Sequence, residues 1–501
     1  MTTETLLLQS AATADSITVY WDEPAAIPAV GTEYTVFLNE KQITTTKKTH
    51  FTLSSLSENT RYTVSVTCPL AQATVTVTTR TARERIDVSK APYNACGDGK
   101  TLNTQALQAA FDACTEKQCV YIPRGVFMTG ALKMHSGMEL YLEEGAVLQG
   151  TAEPKDYLPL IHSRFEGIEQ DCYASLLNLG ELDHTAPYNC SDVLIYGKGT
   201  IASGGAELAK AVIRTERVRL ADYLASLGDK LKECEKPDTI PGRMRPRLIN
   251  MSNCQHIRIS GVTLANGASW NVHFIYSDDI LTDNCVFKSE GVWNGDGWDP
   301  DSSTNCTIFG CRFYTGDDSV AIKSGKNPEG NEINRPTEHV RIFDCACAYG
   351  HGITIGSEMS GGINDVRIWD CDMSVSMQGI EIKGTKKRGG YVRNVQVRNC
   401  ALSRLQMHSV GYNDDGIAAP CPPVFENCRF SQLTITGRML DHERVWHDCA
   451  AIDFRGFAVD GYEARNIVVK DVVLAHPDGN TVQTLTMQCC RGVSIENLSV
   501  Q

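Results

Sequence analysis

The sequence has no long hydrophobic segment and no excess of positive charge. No apolar run approaches the roughly 20 residues that a membrane-spanning helix needs, so no transmembrane segment is predicted. The 501 residues carry 47 Lys and Arg against 60 Asp and Glu, a formal net charge of −13 at pH 7. This balance argues against general binding to nucleic acid. It also opposes any polyanion at long range, so an acidic ligand would have to meet local cations.

The first residues lack the features of a secretory signal. The segment that begins Met1-Thr-Thr-Glu has neither a basic stretch nor a long enough apolar core. As written, the sequence predicts a cytoplasmic protein. A secreted or periplasmic protein whose signal had been removed would look the same.

The 20 cysteines lack the spacing of a structural metal site. Neighbours such as Cys489 and Cys490 do not form the two spaced pairs that hold zinc, so we predict no metal. Many of the others recur at one place in a repeat, and a free cysteine packs as a small hydrophobic residue. The sequence therefore predicts stacked core thiols rather than a disulfide framework.

Residues 1–82 alternate apolar and polar side chains in short runs, which predicts a small antiparallel β-sandwich. Leu56-Ser-Glu-Asn-Thr-Arg-Tyr62 resembles the tyrosine corner of a fibronectin type III module, with Trp21 as the core tryptophan. We expect this module to be a spacer or an oligomer contact, or alternatively a sugar-binding module.

The rest of the chain, residues 83–501, repeats a short apolar run followed by Asp or Asn and then Cys. Cys311, Cys345, Cys371 and Cys400 are separated by about 26 to 34 residues, the length of one solenoid coil. An all-β fold follows, a right-handed parallel β-helix. A solenoid needs a cap over its first coil. A helix near residues 101–113, capped by Thr101 or Asn103, is predicted to provide it.

One segment, residues 206–235, interrupts the repeat. Leu208, Val212, Leu220 and Leu224 recur at mostly helical spacing with dense charge between them, which predicts an amphipathic helical insertion. The insertion either packs its leucines on the solenoid or closes one end of a cleft.

Three acids and a histidine lie at intervals within the repeat. A β-helix would place such residues, from successive coils, side by side on one face. Hydrolysis of a glycosidic bond needs one acid to protonate the leaving oxygen and one carboxylate to activate water. The pattern predicts a glycosidase. Asp and Gly also cluster in turns, and a turn position without a catalytic role is the alternative for Asp299 and Asp301. The blocks are Asn294-Gly-Asp296, Gly316-Asp317-Asp318, Gly350-His351-Gly352 and Glu381-Ile-Lys383.

In this order the blocks resemble the signature of glycoside hydrolase family 28, the polygalacturonases. The resemblance is strong within residues 294–383 and extends more weakly from about Tyr93 to the C-terminus. It implies inverting hydrolysis of α-1,4-linked galacturonic acid in pectic chains, without a cofactor. Exo action is expected if the insertion closes the cleft and if a cytoplasmic enzyme meets only short oligosaccharides.

The resemblance also implies roles for single residues. Asp318 matches the general acid, and Asp317 and Asp296 match the pair that holds and deprotonates water. His351 matches the histidine that supports the acids and contacts the sugar, and Lys383 matches the lysine that pairs with a substrate carboxylate. Because close carboxylates cannot all ionise easily, one acid is expected to keep its proton near neutral pH.

The sequence departs from the family at Glu381, where the family has arginine. A glutamate there loses a carboxylate anchor and adds a repulsive charge. A replacement cation is predicted among Lys386, Lys387 and Arg388, although such a run is also typical of a solvated turn; Lys323 and Arg247 are comparable candidates. Asn294 and three tryptophans that flank the site, Trp270, Trp293 and Trp298, are further candidates for sugar contact, Trp270 being equally suited to the core.

Three alternatives remain at this stage. Glu381 is compatible with a hydrolase of another pectic linkage, such as that of rhamnogalacturonan. A pectate lyase also uses a β-helix, but it would need calcium and a basic proton abstractor. A pectin-binding β-helix without turnover would be expected to have a degenerate acid set, and here the set is intact.

Overall fold

The computed structural model describes residues 4–24, 31–229, 244–411, 416–476, 478–479 and 483–501. It divides into two compact units, Met1–Glu84 and Arg85–Gln501. The boundary predicted between residues 82 and 83 lies just before this division. Within the described residues, no helix is long and apolar enough to cross a membrane.

The first unit is a β-sandwich of two sheets, as predicted. A five-stranded sheet has the order β1-β8-β7-β4-β5, and a three-stranded sheet has the order β2-β3-β6. Trp21 lies between the sheets with its ring edge-on to Tyr34 at 5.2 Å, and the hydroxyl of Tyr62 accepts the backbone N–H of Ser57 at 3.0 Å. The strands are β1 (Glu4–Thr5), β2 (Leu8–Ala12), β3 (Ile17–Trp21), β4 (Tyr34–Leu38), β5 (Lys41–Thr46), β6 (His50–Leu53), β7 (Arg61–Thr67) and β8 (Ala71–Thr78).

The second unit is a parallel β-helix. Its strands form a 22-stranded sheet and an 11-stranded sheet, and most coils contribute two short strands to the first and one to the second. The remaining strands are β9 (Glu84–Asp87), β10 (Asp98–Leu102), β11 (Gln118–Ile122), β12 (Gly125–Thr129), β13 (Leu132–Met134), β14 (Glu139–Leu142), β15 (Ala146–Gly150), β16 (Ile161–Phe165), β17 (Ile168–Cys172), β18 (Leu177–Leu179), β19 (Cys190–Gly197), β20 (Thr200–Ala202), β21 (Ile249–Ser252), β22 (Cys254–Ser260), β23 (Thr263–Ala265), β24 (Val272–Ile275), β25 (Asp278–Asp283), β26 (Val286–Lys288), β27 (Trp298–Asp301), β28 (Thr304–Phe309), β29 (Arg312–Tyr314), β30 (Val320–Ile322), β31 (Thr337–Phe343), β32 (Ala346–Tyr349), β33 (Gly352–Ile355), β34 (Ile363–Trp369), β35 (Asp372–Met373), β36 (Gly379–Gly384), β37 (Tyr391–Leu402), β38 (Leu405–Ser409), β39 (Val424–Ile435), β40 (Arg438–Leu440), β41 (Trp446–Asp448), β42 (Ile452–Arg455), β43 (Ala464–Leu474), β44 (Leu485–Gln488) and β45 (Cys490–Val500).

A residue with a left-handed backbone conformation recurs at the equivalent position of successive coils. Strand pairing skips a residue at one equivalent position of eight successive coils, and these eight residues have φ between 52° and 57°, in the left-handed region that Asn, Asp and His tolerate better than most residues. This ladder bends every coil at the same height, so equivalent strands stay in register. Its members are His256, Asp279, Asn305, His339, Asp365, Asn394, Asn427 and Asn466.

The cysteines of the repeat are core thiols, as predicted. All cysteines within the described residues are free, and Cys311, Cys345, Cys371 and Cys400 are buried between the sheets. Only three of the described cysteines are exposed, and they are Cys96, Cys421 and Cys489.

The predicted first helix is present as α1 (Thr104–Ala113), which buries Leu107 and Phe111. The predicted side-chain cap is wrong. Asn103 occupies the N-cap position, but its buried amide instead accepts the backbone N–H of Cys96 at 2.7 Å, so it ties the chain before the helix rather than the first helical turn.

The insertion is helical over the part that the structure describes. Leu208 and Val212 of α2 (Gly205–Arg219) are buried in the core of the β-helix, whereas α3 (Ala221–Leu227) buries no residue. Residues 230–235 of the predicted insertion lie outside the described residues. The only other α-helix of the described chain is the short α4 (Glu329–Ile333).

Candidate active site

The predicted catalytic residues meet on one face of the β-helix. Asp296 precedes β27, Asp317 and Asp318 precede β30, and His351 precedes β33. These strands and β36 are consecutive neighbours in the 11-stranded sheet. Because neighbouring strands of a sheet lie about 4.8 Å apart, residues separated by whole coils in sequence become adjacent in space.

His351 joins the two neighbouring acids. Its Nδ1 lies 2.8 Å from Oδ1 of Asp317 and 3.3 Å from Oδ1 of Asp318, and the hydroxyl of Thr354 donates to Asp318 at 2.7 Å. Asp318 is buried, whereas 22% of the Asp317 side chain is exposed. Asp317 is therefore the acid that a ligand in the cleft reaches first.

The charges around Asp318 keep it ionised. Burial acts to raise its pKa, but the Lys383 ammonium and the hydrogen bonds from His351 and Thr354 outweigh burial and hold the pKa below its usual value. The pKa of His351 is raised well above its ordinary value, because its contacts with Asp317 and Asp318 outweigh burial. His351 is thus an imidazolium at neutral pH.

A second acid cluster lies beside the first. Lys323 Nζ is 2.9 Å from Oδ2 of Asp299 and 3.3 Å from Oδ2 of Asp296, and it lies 3.7 Å from the centre of the Trp270 ring. All four residues are buried. Substrate contact by Lys323 stays a prediction; in this structure its ammonium is buried and pairs with two carboxylates.

The acid that keeps its proton belongs to this second cluster. Burial, followed by the charge of Asp299, raises the pKa of Asp296 well above its usual value. Burial also raises the pKa of Asp299 to about 7, although the Lys323 ammonium opposes this. One cation does not balance two buried carboxylates, so they share a proton near neutral pH. The expectation of a protonated acid is met here rather than at Asp318, which the resemblance identifies with the general acid.

Glu381 is not a free negative charge. Its Oε1 lies 2.6 Å from Nε2 of His408, and its Oε2 lies 3.1 Å from Nζ of Lys383, which in turn is 3.9 Å from Asp318. Burial would raise the pKa of Glu381, but Lys383 and His408 lower it to about 2. The repulsive charge expected at Glu381 is therefore compensated, and the charge of Lys383 is divided between two acids.

Asn294 is anchored from behind the site. Arg245 is fully buried, donates from Nη2 to Oδ1 of Asn294 at 2.6 Å and from Nη1 to the carbonyl of Trp293 at 2.8 Å, and stacks over the Trp293 ring at 4.1 Å. The amide of Asn294 reaches Oδ2 of Asp317 at 3.5 Å. Asn294 and the half-buried Trp293 thus border the acid pair, as their sequence positions suggested.

Other sequence candidates are placed away from the cleft surface. Arg388 is buried and donates to Asn327 Oδ1 at 2.6 Å and to the carbonyl of Ser357 at 3.0 Å, and the substrate contact predicted for it stays a prediction. Arg247 is buried and bonded to the carbonyl of Arg164 at 2.7 Å. Trp298 faces the core with its ring edge-on to Phe274 at 5.0 Å, and Trp270 is buried as well. Lys386 is exposed and Lys387 is half-buried.

Sequence reasoning missed several residues of the site. A turn position is the alternative that the sequence allows for Asp299 and Asp301, but both are buried in β27, where Asp301 pairs with Arg164 at 2.8 Å. Their alternation in Trp298-Asp-Pro-Asp301 is a strand pattern that would have placed both acids on one face. No local signal marks His408 or His442, because their partners lie on other coils.

One group among the described residues has the spacing of a metal site. A ligand atom from each of Asp317, Asp318 and His351 lies within 4.8 Å of the others. His351 Nδ1, however, lies within hydrogen-bonding distance of Asp317 and its imidazolium charge faces both acids. The positive charge that a metal ion would supply is thereby already present.

Comparison with known proteins assigns both units. Residues 190–414 match the model of glycosyl hydrolases family 28, and residues 5–83 match that of the fibronectin type III domain. The first segment contains all the acids and histidines described above except His442. Residues 190–414 are therefore similar to glycosyl hydrolases of family 28, and a segment similar to a fibronectin type III domain precedes them.

Individual relatives agree with this assignment. An exo-poly-alpha-D-galacturonosidase of Dickeya chrysanthemi is 28% identical over 393 residues, which is 72% of this chain and 63% of the relative. A probable polygalacturonase of Vitis vinifera is 34% identical over 328 residues, which is 63% of this chain and 60% of the relative. This chain thus spans less than two thirds of either relative.

Solved structures share the fold. A family 28 exopolygalacturonase of Yersinia enterocolitica superposes with a TM-score of 0.75 at 22% identity, covering 100% of this chain and 99% of that one. An exopolygalacturonase of Thermotoga maritima has a TM-score of 0.67 at 23% identity, covering 84% and 92%. At this identity the likeness concerns the fold.

Proposed function

We propose that the β-helix unit hydrolyses α-1,4-linked galacturonic acid in pectic chains, acting from a chain end. The observation that carries the proposal is the hydrogen-bonded group of Asp317, Asp318 and His351 on one face, beside Asp296. The exo-acting names of the Dickeya chrysanthemi relative and of the two solved structures support both the substrate class and the mode of action.

The electrostatics support a division of roles that differs from the one implied by the resemblance. Asp318, which Lys383 and His351 hold ionised, is suited to remove a proton from water. Asp317 is the most exposed of the three acids, so its carboxylate is the one that the leaving oxygen of a bound sugar can approach. We therefore assign the base to Asp318 and the proton donor to Asp317. The proton that Asp317 passes to the leaving oxygen comes from the His351 imidazolium, whose Nδ1 lies 2.8 Å from it, and the proton that Asp318 removes from water restores the balance.

This assignment is tested by the leaving group. An aryl galacturonide needs little protonation of its leaving oxygen, so Asp317→Asn should retain much more activity on it than on trigalacturonate. Asp318→Asn should lose activity on both substrates, because water activation is still required. The reverse pattern would return the proton donor to Asp318.

The stereochemical outcome needs its own measurement. The family resemblance supports inversion, in which the two catalytic carboxyl groups are typically about 6.5–9.5 Å apart. Proton NMR of the first product decides the question. A β-anomer formed first indicates inversion, and an α-anomer formed first indicates retention and overturns that part of the proposal.

The activity itself is tested by reducing-end release from tri- and polygalacturonate, with products resolved by chromatography. Steady release of monomer or dimer by the wild type, with loss in Asp318→Asn, is expected. A spread of intermediate oligomers from the polymer would show endo action instead. No release from either substrate would overturn the proposed linkage.

A second candidate is hydrolysis of another pectic linkage. Lys383 lies between Glu381 and Asp318, so it offers a substrate carboxylate less net positive charge than an unpaired lysine would. A neutral sugar in the adjacent subsite would suit this balance. Incubation with rhamnogalacturonan beside polygalacturonate separates the two candidates by which polymer yields products.

A further inference from the structure

A hairpin from the C-terminal part of the chain reaches the candidate site. β40 and β41 pair antiparallel, and their connection holds itself together: Asp441 accepts the backbone N–H of Val445 at 2.7 Å and its other oxygen lies 2.7 Å from Nε2 of His447. The tip of this hairpin carries His442 and Arg444. It therefore has a defined shape before any contact with the site is considered.

Three contacts fix the tip over the coil that carries His351. The hydroxyl of Tyr349 donates to the carbonyl of His442 at 2.9 Å. Arg444 pairs with Glu290 at 2.7 Å and stacks over the Tyr349 ring at 4.6 Å. Nε2 of His442 lies 3.2 Å from Nε2 of His351.

Two ring nitrogens at this distance can share only one proton between them. Nδ1 of His351 faces the oxygens of Asp317 and Asp318 and must carry a hydrogen to bond to them. If His351 is an imidazolium, its Nε2–H needs an acceptor, and a neutral His442 supplies one. If both rings were protonated, two N–H groups would face each other.

The surrounding charges favour the arrangement in which His351 carries the charge. His351 faces Asp317 and Asp318, while His442 faces His351 itself and, at longer range, Asp317, Glu443 and Asp441. Burial and then the positive charge of His351 lower the pKa of His442, whereas the pKa of His351 is raised. The proton therefore belongs to His351.

We propose that His442 is a positioning residue, whose neutral ring accepts the Nε2–H of His351 and so keeps His351 charged and oriented toward Asp317 and Asp318. The inference rests on the proposed function for its kinetic consequence, but not for its structural one. Through His442 the hairpin tip of β40 and β41 would take part in the chemistry, although the tip carries none of the proposed catalytic acids.

The test uses three variants of the full chain. His442→Phe keeps the ring volume but removes the acceptor, and His442→Gln keeps an acceptor oxygen. His447→Gln changes a histidine of the same hairpin that does not touch the site, and the glutamine amide can still donate to Asp441 and so keep the hairpin contact. Two quantities are measured for each: the pKa of His351 by ¹H–¹⁵N NMR of the imidazole, and the pH dependence of kcat and KM on trigalacturonate. Thermal unfolding reports whether each variant is folded.

The expected result separates the variants. His442→Phe should lower the pKa of His351 by about 1 unit and reduce kcat about tenfold or more, with KM little changed. His442→Gln should recover most of both, and His447→Gln should behave as the wild type. An unchanged His351 pKa in a folded His442→Phe protein would overturn the inference, as would an equal shift in His447→Gln. The NMR result stands even if trigalacturonate is not the substrate, so failure of the proposed function remains distinguishable.

Discussion

Lys323 and Asp299 form a buried ion pair at 2.9 Å, and the same ammonium also reaches Asp296 at 3.3 Å. One cation thus serves two buried carboxyl groups. The pair lies in the buried part of the candidate site, whereas Asp317 is partly exposed. Its charge balance decides the protonation of Asp296, and through it the field at Asp317 and Asp318.

Removal of this cation should be costly in a pH-dependent way. Lys323→Met leaves two buried acids without a partner, and we expect a loss of about 3–5 kcal/mol in the free energy of unfolding at pH 8. The loss should shrink toward pH 5, because both carboxyls are then protonated. Urea unfolding at the two pH values measures it. Lys386→Met, at an exposed lysine, is the matched control, and an equal loss for Lys323→Met at both pH values would contradict the charge argument.

The acid limb of the activity profile should depend on Lys383. The Lys383 ammonium lowers the pKa of Asp318, so Lys383→Met should raise that pKa. A base must be ionised to act, and therefore the acid limb of kcat/KM should move to higher pH. The profile is measured with trigalacturonate, with Lys117→Met, at an exposed lysine that the site does not include, as control. A limb that stays in place while KM rises would mean that Lys383 only binds substrate.

Glu381 should stabilise the fold in a defined pH range. Its pKa is about 2 in the folded chain against an ordinary value of 4.5, so the stabilisation is complete above about pH 5 and is lost as the pH falls toward 2. Between pH 6 and pH 3 the wild type should lose about 2 kcal/mol from this group, and Glu381→Gln should not. Chemical unfolding of both proteins across this range tests the difference. Parallel curves for the two proteins would show that Glu381 is not ion-paired in solution.

The thiols of the core should be free and protected. A disulfide-specific reductant should leave the melting temperature unchanged, and among the described cysteines only Cys96, Cys421 and Cys489 should react quickly with a thiol reagent. After unfolding without reductant, all 20 cysteines should react. Fewer than 20 reactive thiols in the unfolded chain would reveal a disulfide.

The fold and the cluster of acids could be predicted because both follow from repetition. Once the Cys311–Cys345–Cys371–Cys400 spacing sets the coil, residues on successive turns must lie side by side, and this holds for Asp296, Asp317 and His351. The spacing of the motifs along the sequence and the stacking of the strands both follow from the length of one coil.

Features that depend on contacts between distant coils could not be predicted in this way. His442 contacts His351 because a hairpin folds back onto a coil 91 residues earlier in the chain. The sequence around either residue contains no pattern that predicts this contact. Arg388 follows two lysines, a run that is typical of a solvated turn, yet its side chain is buried and donates a hydrogen bond to Asn327. The protonation of Asp296 rather than Asp318 depends on how two cations, Lys323 and Lys383, are shared among the acids.

The ladder of left-handed turn residues from His256 to Asn466 also sets how the molecule can change in length. Each coil pairs only with the coil before it and the coil after it, and the strand edges that pair are equivalent from coil to coil. The pairing between coils therefore does not fix their total number. Duplication or loss of a coil beyond β42, past the hairpin that contacts His351, would lengthen or shorten the sheets without moving Asp296, Asp317 or His351. In this architecture, size and catalytic geometry are separate variables.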